Sequence, residues 1–397
     1  MSGKQKVVIF LVVVALVGVI GYFVTGDKGG RKPIELNNKN QSLPNASKDP
    51  ANTGPVGAIS GMPCENWNRR PVAVMQPVDA QARPVAGFSD ADIVFEMPNP
   101  ASGIFVTRLL GVYQCETPEE VGSIRSARHD YISIAKGMDA IFVGWGGSAF
   151  ALAKLDAGVI DNLDCNDQGG KSASKYCFRK ERSGLMRIED TGYIKFAKIL
   201  EAAKDFGYRT ESKFAGYPHQ EDKSLVERPN GGHLRIGYPG IMEAEYDYDR
   251  DSNSYKRTWG GVPDTDRTTK ERLAPKNIVV VVAENEQILS TVDYKSRGVQ
   301  DPWDGLPAEE KTGPTNISGR YNNLQLGDPW FDTKESGVAY YYMNGEQKQG
   351  MWRKDKSSLD SKLAFFDEAN NEVKFVPGQI WVEVMVPGQV FEWTPSN

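Results

Sequence analysis

Histidine is scarce in this chain, three residues in 397, which leaves little material for imidazole-based acid–base or metal chemistry. The four cysteines form no CxxC pair and stand at no zinc-ligand spacing from a histidine, so the pattern of a structural zinc site is missing. No GxxxxGK[ST] loop, HExxH helix or GxGxxG turn after a strand occurs. No metal and no cofactor of those kinds is expected. A positive surplus is missing as well: 47 Lys and Arg face 52 Asp and Glu, a formal charge of −5, and nucleic acid is not an expected partner. Hydrophobic residues make up 40% and charged residues 25%, the usage of chains that fold in water. A length of 397 residues suggests two or three domains.

Long apolar runs are absent but for one, residues 7–24, VVIFLVVVALVGVIGYFV. At about 1.5 Å per residue it reaches roughly 27 Å, enough to cross the hydrocarbon of a bilayer. It outruns the apolar core of a cleaved secretory signal, and Tyr22 and Phe23 close it where small residues would mark a cleavage site. Residues 1–24 therefore read as a cytoplasmic tip and an uncleaved single-pass anchor, which makes the cytoplasmic membrane a partner. Lys4 and Lys6 precede the run while Lys28, Arg31 and Lys32 follow it, so charge alone does not fix sidedness. A single amino-terminal helix ahead of a large soluble body is read as leaving that body outside the cell. Residues 25–60 hold no aromatic side chain and are rich in Gly, Pro, Asn, Ser and Lys. They read as a disordered linker, because such a segment buries too little apolar area to offset its ordering.

The soluble part reads as α+β. Residues 70–75, 91–96, 105–113 and 140–145 are strand-like, each bounded by Gly, Pro, Asn or Asp. Residues 123–137 and 191–206 carry helix signals, the first opening on Ser123 and the second stopped by Gly207. A mixed-sheet amino-terminal domain with helices is placed at 61–215. From 228 to 390 the chain reads as mostly β. Residues 243–249 alternate with period two and, across a polar turn at 250–254, pair with 255–259 as a hairpin. Residues 277–283 form a continuous apolar strand, and 372–376 with 379–386 read as a strand pair flanking Pro377 and Gly378. Cys64, Cys115, Cys165 and Cys177 allow three disulfide connectivities. Cys165 with Cys177 closes a short polar loop and is the favoured bridge; Cys64 with Cys115 then follows by default, with four free thiols as the alternative.

Several ordered segments resemble a known family. Residues 70–75 (RPVAVM), 82–84 (ARP), 87–89 (GFS), 91–96 (ADIVFE), Gly103-Ile104, Thr107-Arg108 and 122–128 (GSIRSAR) resemble, in order and spacing, the amino-terminal domain of the YerB-like lipoproteins of bacteria. Residues 246–249 with Tyr255 and Arg257, then 277–280, 377–382 and Val386-Pro387, are similar to that family's carboxy-terminal domain. The resemblance spans about 61–387 and implies a two-domain, envelope-attached protein. It implies no activity, because the family is a domain of unknown function. Two departures stand out. Relatives resemble lipoproteins with a lipid-bearing cysteine after a short signal, whereas the first cysteine here is Cys64, so a helix takes the place of the lipid. The family pattern has a His-bearing, glycine-rich turn after the strand at 140–145; here it reads Gly144-Trp145-Gly146-Gly147-Ser148, without the imidazole.

The residues that could carry chemistry are Arg108, Arg125, Ser126 and Arg128, with Asp92 and Glu96 on a neighbouring strand. Three guanidiniums gathered by strand ends and a helix start would form a fork-like anion site; alternatively the arginines pair internally with Asp92 and Glu96. Ser148 joins the candidate ligand-binding residues, although Phe150 stands where a nucleophile elbow needs Gly, so a helix-capping role fits it better. Ser126 lies three residues before His129 without an orienting third group, which is no catalytic pair. The leading expectation is recognition of an anionic envelope ligand, either a cell-wall polymer or an envelope protein. One rival is a cell-wall hydrolase or transferase using Glu96 or Asp92 as acid or base. A second is a structural protein-interaction module.

Overall fold

Apolar segments bounded by turn residues become strands, and most are buried on both faces, which is why they read as continuous runs. In chain order the elements are β1 Val72–Pro77, β2 Ile93–Pro98, β3 Thr107–Tyr113, β4 Glu120–Gly122, α1 His129–Gly137, β5 Ile141–Gly144, α2 Ala149–Asp156, β6 Asn162–Asp164, β7 Cys177–Arg179, β8 Gly192–Lys195 and α3 Phe196–Asp205. There follow β9 Gly232–Ile236, β10 Ala244–Asp249, β11 Ser254–Trp259, β12 Val262–Pro263, β13 Asn277–Val282, β14 Asn285–Gln287, β15 Asn322–Leu324, β16 Ser336–Met343, β17 Glu346–Arg353, β18 Ala364–Asp367, β19 Ile380–Met385 and β20 Phe391–Pro395. The computed structural model describes residues 55–99, 106–181, 187–287 and 322–396. The apolar run at 7–24 and the linker up to residue 54 lie outside the described residues. Among the described residues no helix is long and apolar enough to cross a membrane.

Ten strands form one mixed sheet in the order β18-β17-β16-β13-β19-β2-β3-β1-β5-β6. β13, β19 and β2 run parallel, as do β1, β5 and β6. β3 is antiparallel to both β2 and β1, so all six parallel strands point the same way. Strands from the two halves of the chain share this sheet, since β19 pairs with β2 in the register Ile380 with Ile93 through Glu383 with Glu96. Period-two alternation sends the side chains of β2 into two cores. Ile93, Phe95 and Met97 meet Tyr131, Ile132 and Ala135 of α1 and Ala151 and Leu155 of α2. Val94 lies in the core beneath the five-stranded sheet β12-β11-β10-β9-β20, among Tyr246, Tyr255 and Trp259, together with Phe196 and Ile199 of α3. The architecture is three layers, α+β, with strands predominating.

The sequence expectations are corrected at four places. The helix expected over 123–137 begins only at His129; residues 123–128 stay extended because their backbone is taken by the sheet, with Arg125 N–H donating to Met75 O and Ala127 N–H to Gly146 O. The helix expected over 191–206 opens as a strand, Gly192–Lys195, between β4 and β7. Residues 372–376 do not pair with 379–386: Val373 N–H goes to Phe365 O and Phe375 N–H to Pro218 O, which leaves β19 to pair with β13 and β2. Residues 55–60, read as the end of the tether, pack on the fold, with Ile59 fully buried and His219 Nε2 within 3.1 Å of its carbonyl oxygen. Both bridges form, Cys64 with Cys115 and Cys165 with Cys177.

The outer five-stranded sheet is tied to the central one by buried charge. Glu96 and Glu383 are register partners on adjacent parallel strands, so both carboxyls leave the sheet on one face. Arg257 of β11, without solvent exposure, lies 2.5 Å from Glu96 Oε2 and 3.9 Å from Glu383 Oε1. It also pairs with Asp264, donates from Nε to the Tyr246 hydroxyl at 3.0 Å and stacks 4.5 Å over the Trp381 ring. Arg83 pairs with Asp264 at 2.6 Å and Tyr246 O–H donates to Glu383. Two guanidiniums thus serve three carboxyls, and one of these must hold a proton for the set to balance. Burial and the neighbouring Glu96 carboxylate push Glu383 up to about 8.

Unfolded, Glu383 loses its proton near the ordinary value of 4.5; folded, it keeps the proton to about 8. Its contribution to stability is therefore complete below the first value and lost as pH rises through the second. Glu383→Gln mimics the neutral acid. The measured difference in unfolding free energy between variant and wild type should grow in the variant's favour from about pH 5 to pH 8, and a constant difference across that window would remove Glu383 as the proton holder.

Candidate functional site

In open sheets of parallel strands, ligands are received at the carboxyl ends. Here that edge is formed by the ends of β1, β2, β5 and β6, and β3 enters from it, with Arg108 opposite both Pro77 and Met97 in register. The extended segment 123–128 crosses this edge. Met75 O accepts from Arg125 N–H, and Arg125 O accepts from Trp145 N–H just beyond β5. Ala127 N–H reaches Gly146 O, and Ser148 N–H returns to Ala127 O. The segment is thereby stitched to the ends of β1 and β5 as a lip.

Two guanidiniums meet on that lip. Arg108 Nη1 donates to Ser126 O at 2.6 Å, and Arg128 donates from Nη1 to Ala127 O at 2.8 Å and from Nε to Asn99 Oδ1 at 3.2 Å. Arg128 is 8% exposed. Between the two runs Tyr131 of α1, whose hydroxyl donates to Met97 O and Arg108 O. Ser126 is half-buried and contributes its carbonyl to this arrangement. Ser148 caps α2 by accepting Ala151 N–H at 3.4 Å, which is the capping role its spacing indicated.

The glycine turn before Ser148 is held by one carboxylate. Asp164, 1% exposed at the end of β6, accepts N–H groups from Gly146 at 2.6 Å, Gln168 at 2.7 Å, Asn166 at 2.9 Å and Gly169 at 3.1 Å. Gly146 has a φ of +66°, and a Cβ there would stand 2.2 Å from Gln168 Oε1, so the turn demands glycine. The Cys165–Cys177 bridge closes the loop beside it.

The remaining candidates lie elsewhere. Arg125 turns away from the lip to Asp79 at 2.6 Å and Asp190 at 2.7 Å. Burial works against Asp79, yet Arg125 and Arg187 hold it below the usual carboxylate range. Asp92 begins the approach to β2 at the opposite edge of the sheet, where it accepts from Ser60 Oγ at 2.5 Å, Gln114 N–H at 2.6 Å and Cys115 N–H at 3.0 Å. Burial pushes its carboxyl up, and those hydrogen bonds pull against the shift. Glu96 faces the other layer, bound to Thr107 Oγ1 and Arg257. The expected constellation of three arginines with two acids is therefore divided, because alternation along β2 points Glu96 away from Arg108. Sequence reasoning missed Asn99, Asp164, Asp79 and Asp190. None sits in a periodic or spaced motif: Asp164 ends the short strand β6, and the other three lie outside the strands and α-helices.

This geometry belongs to a defined class of proteins. Residues 59–209 match the model described as "Protein of unknown function (DUF3048) N-terminal domain", and residues 234–302 and 313–382 match its C-terminal domain. The chain belongs to this family. It is 32% identical over 222 residues to the protein named "Putative lipoprotein YerB" of Bacillus subtilis (strain 168), an alignment covering 55% of this chain. The match spans less than two thirds, 64%, of that relative's length. The crystal structure of YerB protein from Bacillus subtilis shares the fold, with a TM-score of 0.65 at 24% identity over 85% of this chain and 99% of that one.

Arg125→Ala should act on the fold. It removes one of the two cations on Asp190, leaving Arg187 Nε at 3.3 Å as the other, and should lower unfolding free energy by roughly 2 kcal/mol, as for the loss of hydrogen bonds to a charged group. Denaturant titration checks this, and a variant as stable as wild type would show the pair to be dispensable.

Proposed function

We propose that this chain is an extracytoplasmic envelope protein, held at the membrane by its amino-terminal segment, that binds an anionic envelope ligand at the carboxyl edge of its parallel strands. The observation that carries this reading is the convergence of Arg108 and Arg128 on successive carbonyls of one lip, beside a glycine turn at the start of α2. Guanidiniums in such a position present several N–H donors to a carboxylate or phosphate. The extracytoplasmic placement is supported by two disulfides and no free cysteine among the described residues, a usage suited to an oxidising space. The relative's name as a lipoprotein and the apolar run at residues 7–24 support attachment to the cytoplasmic membrane. The hydrolase reading has less behind it. Asp92 is turned inward onto Ser60 and two backbone N–H groups, and Glu96 onto Thr107 and Arg257.

The test uses the full-length chain in detergent micelles with poly(glycerol phosphate) as probe. Binding should weaken with added salt as exposed charges are screened. Arg108→Gln with Arg128→Gln should lose about tenfold or more in affinity, the loss expected when charge-assisted hydrogen bonds go. Arg69→Gln, a change at the other edge of the sheet, should bind like wild type. Equal affinity of the double variant and wild type would overturn the site.

A further inference from the structure

On the opposite face of the central sheet α2 carries Lys154, a lysine with no solvent exposure. Its Nζ is in direct contact with Oδ2 of Asp328, whose side chain is 2% exposed. Aromatic rings enclose the pair, with the centroids of Phe331 and Trp330 4.7 and 5.2 Å from Nζ. The rest of Asp328 is equally fixed. Its Oδ1 accepts Trp330 N–H at 2.9 Å, and its own N–H donates to Asp332 Oδ2 at 2.7 Å. Asn323 Nδ2 donates to Asp332 Oδ1 at 2.8 Å. Burial and the Asp328 charge push Asp332 up to about 7, so this second acid can both accept and release a proton near neutrality. Lys354, the other buried amine nearby, is turned to the carbonyls of Leu359 and Ser361.

A water-excluded amine touching a carboxyl, with an N–H on the oxygen that stays and a second acid alongside, is an arrangement for acyl transfer as well as for charge pairing. As an ion pair it gains little, because removing two charges from water offsets much of their attraction. We propose that Lys154 and Asp328 are joined by an intramolecular amide bond between Nζ and Cγ, with Asp332 relaying protons. The Nζ lone pair forms the new bond to Cγ while Trp330 N–H stabilises the charge that develops on Oδ1. Asp332 takes a proton from nitrogen and returns it to Oδ2, and the Cγ–Oδ2 bond breaks. Of the three ammonium protons, two leave with that oxygen as water and one stays on the amide nitrogen. Ammonium and carboxylate become amide and water, with no oxidant or cofactor. The fold holds the reacting atoms together and so supplies the effective concentration that a condensation in water lacks. The neutral product no longer needs buried charge. The bond would span a sequence separation of 174 residues and link the segments matching the two family domains.

Intact mass of the full-length chain, reduced and alkylated, tests this directly. The expected mass is one water below that of the sequence, with a proteolytic digest yielding one branched peptide that contains both Lys154 and Asp328. Lys154→Arg should restore the full mass. Asp332→Asn, checked for folding by its thermal transition, should leave most of the chain unlinked. Wild-type protein at full mass with both peptides linear would overturn the proposal, as would a water loss that maps to any other pair. Complete linkage in folded Asp332→Asn would overturn the proposed relay.

Discussion

Arg257 sits without solvent exposure between the outer sheet that carries it and two acids of the central sheet, Glu96 and Glu383. An uncharged side chain in place of Arg257 would leave at least one carboxylate buried without compensation, at a cost of several kcal/mol. Around that contact the apolar packing is arranged to fit. Trp381 lies under the guanidinium, Trp259 stacks with Arg83 at 3.6 Å, and Tyr238 and Tyr246 direct their hydroxyls to the same strands. Apolar area supplies most of the stability of such an interface. The charges fix which residue of β11 lies over which residue of β2, since a slip of one position would point Arg257 to solvent and a different side chain at the acids.

The same layer order determines where the strand-end lip can form. β3 is the antiparallel strand between β2 and β1, so its first residues enter at the edge where its neighbours end. Arg108 is delivered there by topology, and the 123–128 segment is delivered by hydrogen bonds to Met75, Trp145 and Gly146. Three buried acids organise backbone. Asp164 gathers four N–H groups, Asp92 two, and Asp266 accepts from Gly87, Ser89, Thr268 and Thr269. A carboxylate in that role satisfies backbone donors that a turn would otherwise leave without a partner.

Much of this was legible in the residues and some was not. The apolar runs at β1, β2, β3, β5 and β13, the hairpin of β10 and β11, the cap at Ser148 and the Cys165–Cys177 bridge all rest on local signals, and local signals survive folding; the Cys64–Cys115 bridge, 51 residues apart, followed only by elimination. The failures share one cause. Residues 123–128 and 192–195 have helix-compatible side chains, yet their N–H groups are claimed by Met75, Gly146 and strands β4 and β7, partners distant in sequence. The partner of Glu96 could have been found. Arg257 shares the inward face of β11 with Tyr255 and Trp259, and Glu383 shares an apolar face with Trp381 and Met385. A charged residue at an inward position of each of two strands is a sequence sign that the strands face one another.

The two faces of the central sheet bury charge with different cations, and the difference has chemical content. On the outer-sheet side the cations are Arg83 and Arg257, held by carboxylates, tyrosine and tryptophan rings. Guanidinium keeps its charge at any physiological pH and is a poor nucleophile, so that network can only remain ionic, with its proton balance resolved on an acid. On the helical side the cation in contact with a buried carboxyl is a primary amine, Lys154. An amine can surrender its proton and attack, so the same burial that makes an arginine network a permanent electrostatic fastening makes a lysine–aspartate contact chemically convertible. Asp332 adds a second carboxyl beside the pair, bound to the backbone N–H of Asp328 and to Asn323. One sheet is thus fastened on one face by charge that cannot react and on the other by charge that can.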